Sequence, residues 1–168
     1  MRLAVWTIIS FSLVYSASAY GVGALQGKPT SITDGDTIII NGHKIRFHGI
    51  DTPEPNERCQ RKGEDWDCGG DATRALTERI GSGVVECDAV GADRFGRITA
   101  LCFVGDTMLN DWLVRNGWGL DYTRYSHCAF RKAEQSAKKL GLNLWAEGVT
   151  LTPKLVKRLD KRKKNCPT

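Results

Sequence analysis

Residues 32–57 read ITDGDTIIINGHKIRFHGIDTPEPNE. Asp34 and Asp36 precede the run Thr37-Ile38-Ile39-Ile40, Arg46 lies inside a second run, and Asp51 and Glu54 follow it. Carboxylates gathered at the mouths of two strands repel one another unless a positive charge joins them. A hard divalent cation does this, because calcium takes carboxylate, backbone-carbonyl and water oxygens together. Asp36 and Asp51 could supply two such carboxylates; a plain acidic turn with no ligand gives the same pattern. Further along, Asp93-Arg94-Phe95-Gly96-Arg97 adds a second arginine to Arg46. Two guanidinium groups and a hard cation around one pocket clamp a phosphodiester. Glu54 could then accept a proton from water.

Strand ends must carry these residues. Residues 37–40 and 43–50 are rich in β-branched side chains, and Asn41-Gly42 between them is a strong signal for a two-residue hairpin. That turn sets Ile40 opposite His43, Ile38 opposite Ile45 and Thr37 opposite Arg46. Asp36 then falls within one residue of Arg46 in register, yet strict alternation puts the two on opposite faces. A bulge or twist at the strand end would reconcile them.

Residues 25–32 read as a first strand, and residues 84–88 and 98–104 as two later ones. Residues 54–69 are polar, with Pro55, Gly63 and Gly69, and read as a loop. The spacing of Ala72, Ala75, Leu76 and Ile80 predicts a helix over 71–80, ended by Gly81. Further helices are expected over 110–116 and over 130–140, each followed by glycine, and Thr152-Pro153 could begin a short C-terminal one. Three strands, a helix, two strands and two helices suit a small closed barrel of the OB type, an α+β or mainly β architecture with five strands. An open α+β sheet fits the same order. Trp112, Trp118 and Trp145 read as core.

The chain has 168 residues and a formal charge of +5. Met1-Arg2, an apolar stretch over 3–15, and Ala17-Ser18-Ala19 in the A-x-A form read as a secretory signal peptide over 1–19, short for a membrane span. An uncleaved anchor is the alternative. The mature protein is expected to be exported to periplasm or medium, to have no later membrane span, and to be a monomer. The six cysteines agree with export, since an even number in an exported chain points to disulfides. No pair has the C-x-x-C spacing of a zinc site. Cys87 and Cys102 lie symmetrically about the turn at Arg94-Phe95, so antiparallel pairing sets them opposite each other. Cys59 and Cys68 would close the polar loop, and Cys128 and Cys166 remain to tie the tail to the third helix. The domain is placed over 20–150. Residues 151–168 form a basic tail carrying Lys154, Lys157, Arg158, Lys161, Arg162, Lys163 and Lys164. It reads as a polyanion-binding or simply solvated segment with no part in chemistry.

DGDT, an arginine in the following hairpin, IDTPE, DRFGR, LVRNGWG and RKAEQSAKKLGLNLW occur in this order between residues 32 and 145. The ordered set resembles the staphylococcal nuclease (thermonuclease) family. The resemblance implies a five-stranded OB barrel with three helices, and calcium-dependent hydrolysis of DNA and RNA phosphodiesters that leaves 3′-phosphates. It implies Asp36 and Asp51 as calcium carboxylates, a backbone carbonyl from Thr52, and Asp34 as an acidic neighbour behind them. Glu54 corresponds to the carboxylate that orients or deprotonates water, and Arg46 and Arg97 to the phosphate-binding arginines. Phe95 stands where the family's best-known member has tyrosine, so a ring can stack on a base without its hydroxyl. Tyr122 and Tyr125 lie near the family's substrate-contacting tyrosines, slightly out of step. Nothing in the family matches the segment 55–69 with its two cysteines.

The expectation is an exported calcium-dependent nuclease acting on DNA, RNA or both. The rivals are a non-catalytic relative that binds nucleic acid and an accessory protein of cell-envelope or polysaccharide biosynthesis. Either should have lost one of Asp36, Arg46, Asp51, Glu54 and Arg97, and all of these are present.

Overall fold

The structure, a computed structural model, describes residues 25–160 and Cys166. The signal peptide expected over 1–19, and Lys161, Arg162, Lys163 and Lys164 of the tail, lie outside the described residues.

The chain opens with β1 (Gln26–Gly27) and β2 (Ser31–Asp34), two pieces of the expected first strand. Pro29 between them lacks an N–H for the ladder, which accounts for the break. β3 (Thr37–Ile40) and β4 (His43–Phe47) are joined by Asn41 and Gly42, both at positive φ as a type I′ turn demands. Their register pairs Ile40 with His43, Ile38 with Ile45 and Thr37 with Arg46, as the turn predicts. After β5 (Ile50–Asp51), the expected loop instead contains a small hairpin, β6 (Cys59–Arg61) and β7 (Glu64–Trp66). Lys62 and Gly63 turn it at positive φ. The helix α1 (Cys68–Ile80) begins earlier than residue 71 because Asp67 caps it, its side chain accepting from the Gly70 N–H. The long hairpin β8 (Val85–Ala92) and β9 (Ile98–Val104) follows, then β10 (Thr107–Met108), α2 (Leu109–Arg115), β11 (Leu120–Asp121) and the single turn α3 (Thr123–Ser126). The chain continues through α4 (Arg131–Leu140), β12 (Val149–Thr150), which pairs with β6, and α5 (Pro153–Asp160).

The main sheet runs β1-β8-β9-β4-β3-β2, with β10 on β9. β9 is parallel to β4 and antiparallel to β8. The two ends of this order, β1 and β2, are successive pieces of one stretch of chain, so the sheet curls back on itself. This is the OB-type arrangement, with α1 and α2 packed against it.

Two apolar clusters hold the fold. The first fills the curled sheet and includes Ile38, Ile45, Phe47, Leu76, Val85 and Leu113. The second joins Cys59, Trp66, Cys68, Leu120, Leu144 and Leu155, and so binds the small hairpin, the start of α1 and α5 into one unit. Each buried Leu, Ile, Val or Phe among them contributes about 1.5–3 kcal/mol. Disulfides join Cys59 to Cys68, Cys87 to Cys102 and Cys128 to Cys166, the pairs that symmetry and elimination give from the sequence. Among the described residues no helix is long and apolar enough to cross a membrane.

Candidate active site

The acidic turn is built first. The Asp36 N–H donates to Asp34 Oδ1 at 3.0 Å, and the Asp36 carbonyl accepts from the Phe47 N–H at 2.8 Å. The β2–β3 register shifts between Ile32 and Asp34, while the β3–β4 register is regular. Asp36 lies in the turn before β3, outside the strand, so alternation does not hold its side chain to the face opposite Arg46. Arg46 Nη1 lies 2.7 Å from Asp36 Oδ1, and Nη2 lies 2.9 Å from Asp51 Oδ1. One planar guanidinium therefore spans the two carboxylates expected to bind the cation.

Asp51 ends β5, where Leu120 of β11 is its register partner. The Thr52 N–H donates to Asp36 Oδ2 at 3.2 Å. Gly35 makes this approach possible, since a Cβ there would stand 2.8 Å from Thr52 Oγ1. Asp34, Asp36, Asp51 and Thr52 are all buried. Burial pushes the Asp36 carboxyl well above the usual carboxylate range; Arg46 opposes this, and Asp34 and Asp51 add to it. Burial also works against charge on Arg46, but Asp36, Asp51 and their acidic neighbours outweigh it and raise the guanidinium above its ordinary value.

Glu54 is positioned by Glu57, just before the small hairpin, and by the start of α1. Its N–H donates to Glu57 Oε2 at 3.0 Å, and its carbonyl accepts from the Glu57 N–H at 2.8 Å. Gly69, in the first turn of α1, passes so close that a Cβ would sit 1.9 Å from the Glu54 carbonyl oxygen. Only glycine fits, and it locks the Glu54 backbone onto the start of α1. The Glu54 side chain remains 46% exposed, within reach of water beside the buried acids.

Arg158 enters the same cluster from α5. Its Nε donates to Asp51 Oδ2 at 3.1 Å, and its Nη2 donates to the Thr52 carbonyl at 3.1 Å and pairs with Glu57 Oε2 at 2.8 Å. Nη1 lies 4.0 Å from Glu54 Oε1; it is buried and has no hydrogen-bond partner among the described residues. This corrects the reading of residues 151–168 as a tail apart from the site. Thr152 and Leu155 are the reason: the Thr152 hydroxyl accepts from the Leu155 N–H and donates to Glu57, while Leu155 is fully buried. The sequence signal was present in Thr152-Pro153, a helix start, followed by apolar residues that must pack. For Glu57 there was no signal.

The remaining expected residues come from the β8–β9 hairpin and from the chain after β11. Arg97 stands two residues before Thr99, the register partner of Arg46, so the two arginines share a sheet face. Its guanidinium is held by Asp93, with Nε donating to Oδ2 at 2.7 Å. Phe95 is 69% exposed at the tip of the β8–β9 hairpin, with the Arg94 guanidinium 4.6 Å and that of Arg97 5.6 Å from its ring centre. The rings of Tyr122 and Tyr125 meet edge to face at 4.7 Å, and the Tyr122 N–H donates to the Gly49 carbonyl just before β5. The structure thus gathers Asp34, Asp36, Arg46, Asp51, Thr52 and Glu54 in one cluster, with Arg97 and Phe95 carried on the β8–β9 hairpin and Tyr122 and Tyr125 on the chain after β11.

The donor set suits a hard cation. Among the described residues no three acidic, histidine or cysteine side chains enclose an ion by themselves. A backbone carbonyl and water must complete the shell, which calcium accepts. Asp51 Oδ2 and the Thr52 carbonyl already converge on one positive group, the Arg158 guanidinium, each at 3.1 Å. Asp34, Asp36, Asp51, Glu54 and Glu57 outnumber Arg46 and Arg158, so the cluster retains an excess of negative charge.

Comparison with known proteins bears on this arrangement. The family model described as staphylococcal nuclease homologue matches residues 44–147. The chain is 33% identical over 118 residues to the succinoglycan biosynthesis protein ExoI of Rhizobium meliloti (strain 1021), covering 68% of this chain but only 62% of that protein. It is 31% identical over 133 residues to a thermonuclease of Staphylococcus hyicus, covering 71% of this chain and 75% of that one. A Haemophilus influenzae protein named as an uncharacterized endonuclease is 26% identical over 136 residues, covering 77% and 71%.

Proposed function

Because the chain belongs to the staphylococcal nuclease homologue family, we propose that it hydrolyses phosphodiester bonds of nucleic acid, DNA or RNA, with calcium held by Asp36, Asp51 and the Thr52 carbonyl. The observation that carries this reading is the convergence of Arg46 on Asp36 and Asp51, with half-exposed Glu54 beside them. Calcium would supply Lewis-acid polarisation of a phosphate oxygen. Glu54 orients the attacking water and takes its proton. Arg46 and Arg97 neutralise the charge that grows on the phosphoryl oxygens and the departing 5′-oxygen, leaving a 3′-phosphate. Asp34 steadies the turn through its bond from the Asp36 N–H. Phe95, Tyr122 and Tyr125 offer rings on which bases can stack. The three disulfides and the A-x-A segment support export to periplasm or medium, with a signal peptide over 1–19. The nuclease domain runs past residue 150 to take in α5, which Leu155 and Arg158 dock onto it, and it acts as a monomer.

A second reading is favoured by one finding: the relative at 33% identity is named for succinoglycan biosynthesis. On that reading the chain is an accessory protein of polysaccharide assembly. One experiment separates the two. Plasmid DNA and RNA are incubated with the protein in calcium and then in excess chelator. Cleavage in calcium that stops in chelator supports the nuclease; intact substrate in both supports the accessory role.

A further inference from the structure

The oxygens suited to a cation already have one against them. Arg158 Nε stands on Asp51 Oδ2 and Nη2 on the Thr52 carbonyl, while the other Asp51 oxygen is taken by Arg46. Calcium bonds oxygen at about 2.3–2.6 Å. An ion bonded to both oxygens from the side that the guanidinium occupies would fall within van der Waals contact of it. On that side ion and guanidinium exclude each other.

The placement of Arg158 is built into the fold. Leu155 and Arg158 are three residues apart and so share a helix face. Leu155 is buried in the apolar cluster under the small hairpin, which aims Arg158 at the acids. Thr152 fixes the start of the helix on Glu57, and the Cys128–Cys166 bond ties down the chain beyond it. Yet the guanidinium is not fully satisfied, since Nη1 is buried without a hydrogen-bond partner among the described residues. It holds the site with one donor idle, and such a contact can be exchanged.

We infer that Arg158 is a residue of this site that competes with calcium for Asp51 and Thr52, so that binding the ion requires the last turn of α5 to withdraw its guanidinium. The inference rests on the calcium reading of the site, but it is tested without nucleic acid. Calcium is titrated calorimetrically into the full disulfide-bonded chain and into the variants R158Q, R158K and K157Q. When the competent state is only a fraction of the protein, affinity falls by that fraction, so R158Q should bind calcium on the order of tenfold tighter than the parent. R158K keeps the charge but lacks the planar fork that meets the two oxygens in fixed geometry, and should fall between them. Lys157 is exposed on the same turn, so K157Q controls for general charge and should change affinity by less than about twofold, because exposed charges are screened. Equal or weaker calcium binding by R158Q, equal tightening by K157Q, or no calcium binding by either parent or R158Q overturns the competition. Should R158Q fold poorly, Leu155→Val carries the test: it loosens α5 without changing charge, and unchanged calcium affinity overturns the inference. DNA cleavage by a parent whose calcium affinity equals that of R158Q would remove the competition and leave the nuclease standing. Tighter calcium binding by R158Q in a chain that cuts nothing would do the reverse.

Discussion

Arg46 holds Asp36 on one prong and Asp51 on the other, so its removal acts on the fold as well as on any phosphate. Arg46→Ala leaves the buried Asp36 carboxyl without its cation, while Asp51 keeps Arg158. Breaking a buried pair in this way costs about 3–5 kcal/mol, and thermal melts without calcium should show that loss, reduced when calcium is added. Asp36 supplies a pH signature. Its folded value is raised, so its protonated form favours the fold; that contribution is complete below the ordinary aspartate value and is lost as pH rises through the raised one. Calcium needs the ionised carboxylate, so calcium affinity should climb with pH over the same window, with proton release visible when buffers of different ionisation enthalpy are compared. Affinity that stays flat there would contradict the assignment of Asp36. At this scale the sequence was most legible where chemistry is concentrated: Asp36, Arg46, Asp51 and Glu54 declare themselves by type and order. Arg158 did not, because nothing local marks one arginine of a basic stretch as docked on distant carboxylates.

The segment β6–β7 and the helix α5 make the site what it is, and neither was legible as such. The strands of the hairpin are three residues long, and their order comes from a disulfide, a cap at Asp67 and pairing with β12 rather than from alternation. α5 was visible as a possible helix, but its docking depends on Glu57 and Asp51, far away in sequence. The β3–β4 hairpin lies at the other extreme: Asn41-Gly42 dictates its register through local φ alone. Leu155 is the anchor to test. Leu155→Ala should cost about 2–5 kcal/mol as a fully buried large-to-small change. It should also alter tryptophan emission, because Trp118 and Trp145 pack against the same cluster. Unchanged stability and emission would show that α5 is not docked in solution.

At the scale of the whole molecule, curling the sheet brings the two ends of its strand order together in one stretch of chain and sets the acidic turn beside β5. Element order allowed that topology and an open sheet alike, and the ordered motifs chose between them; the closure through a strand broken at Pro29 was not legible, since it depends on pairing with β8. The excess positive charge of +5 should draw polyanions. Lys154 and Lys157 are exposed on α5. Replacing both with glutamine should lower the salt dependence of single-strand binding, by about 0.7 in log–log slope for each phosphate that is no longer neutralised. An unchanged slope would remove α5 from the binding surface. The central claim is that the cluster around Arg46 cuts phosphodiesters with Glu54 handling the water. Its most direct test is single-turnover cleavage of an end-labelled oligonucleotide at saturating calcium by the parent and by Glu54→Gln, which keeps size and polarity but cannot accept a proton. The account predicts that the parent cuts and that the variant binds equally well but cuts about 10²–10⁴-fold more slowly. Cleavage by the variant at the parent rate, or none by the parent, would contradict it.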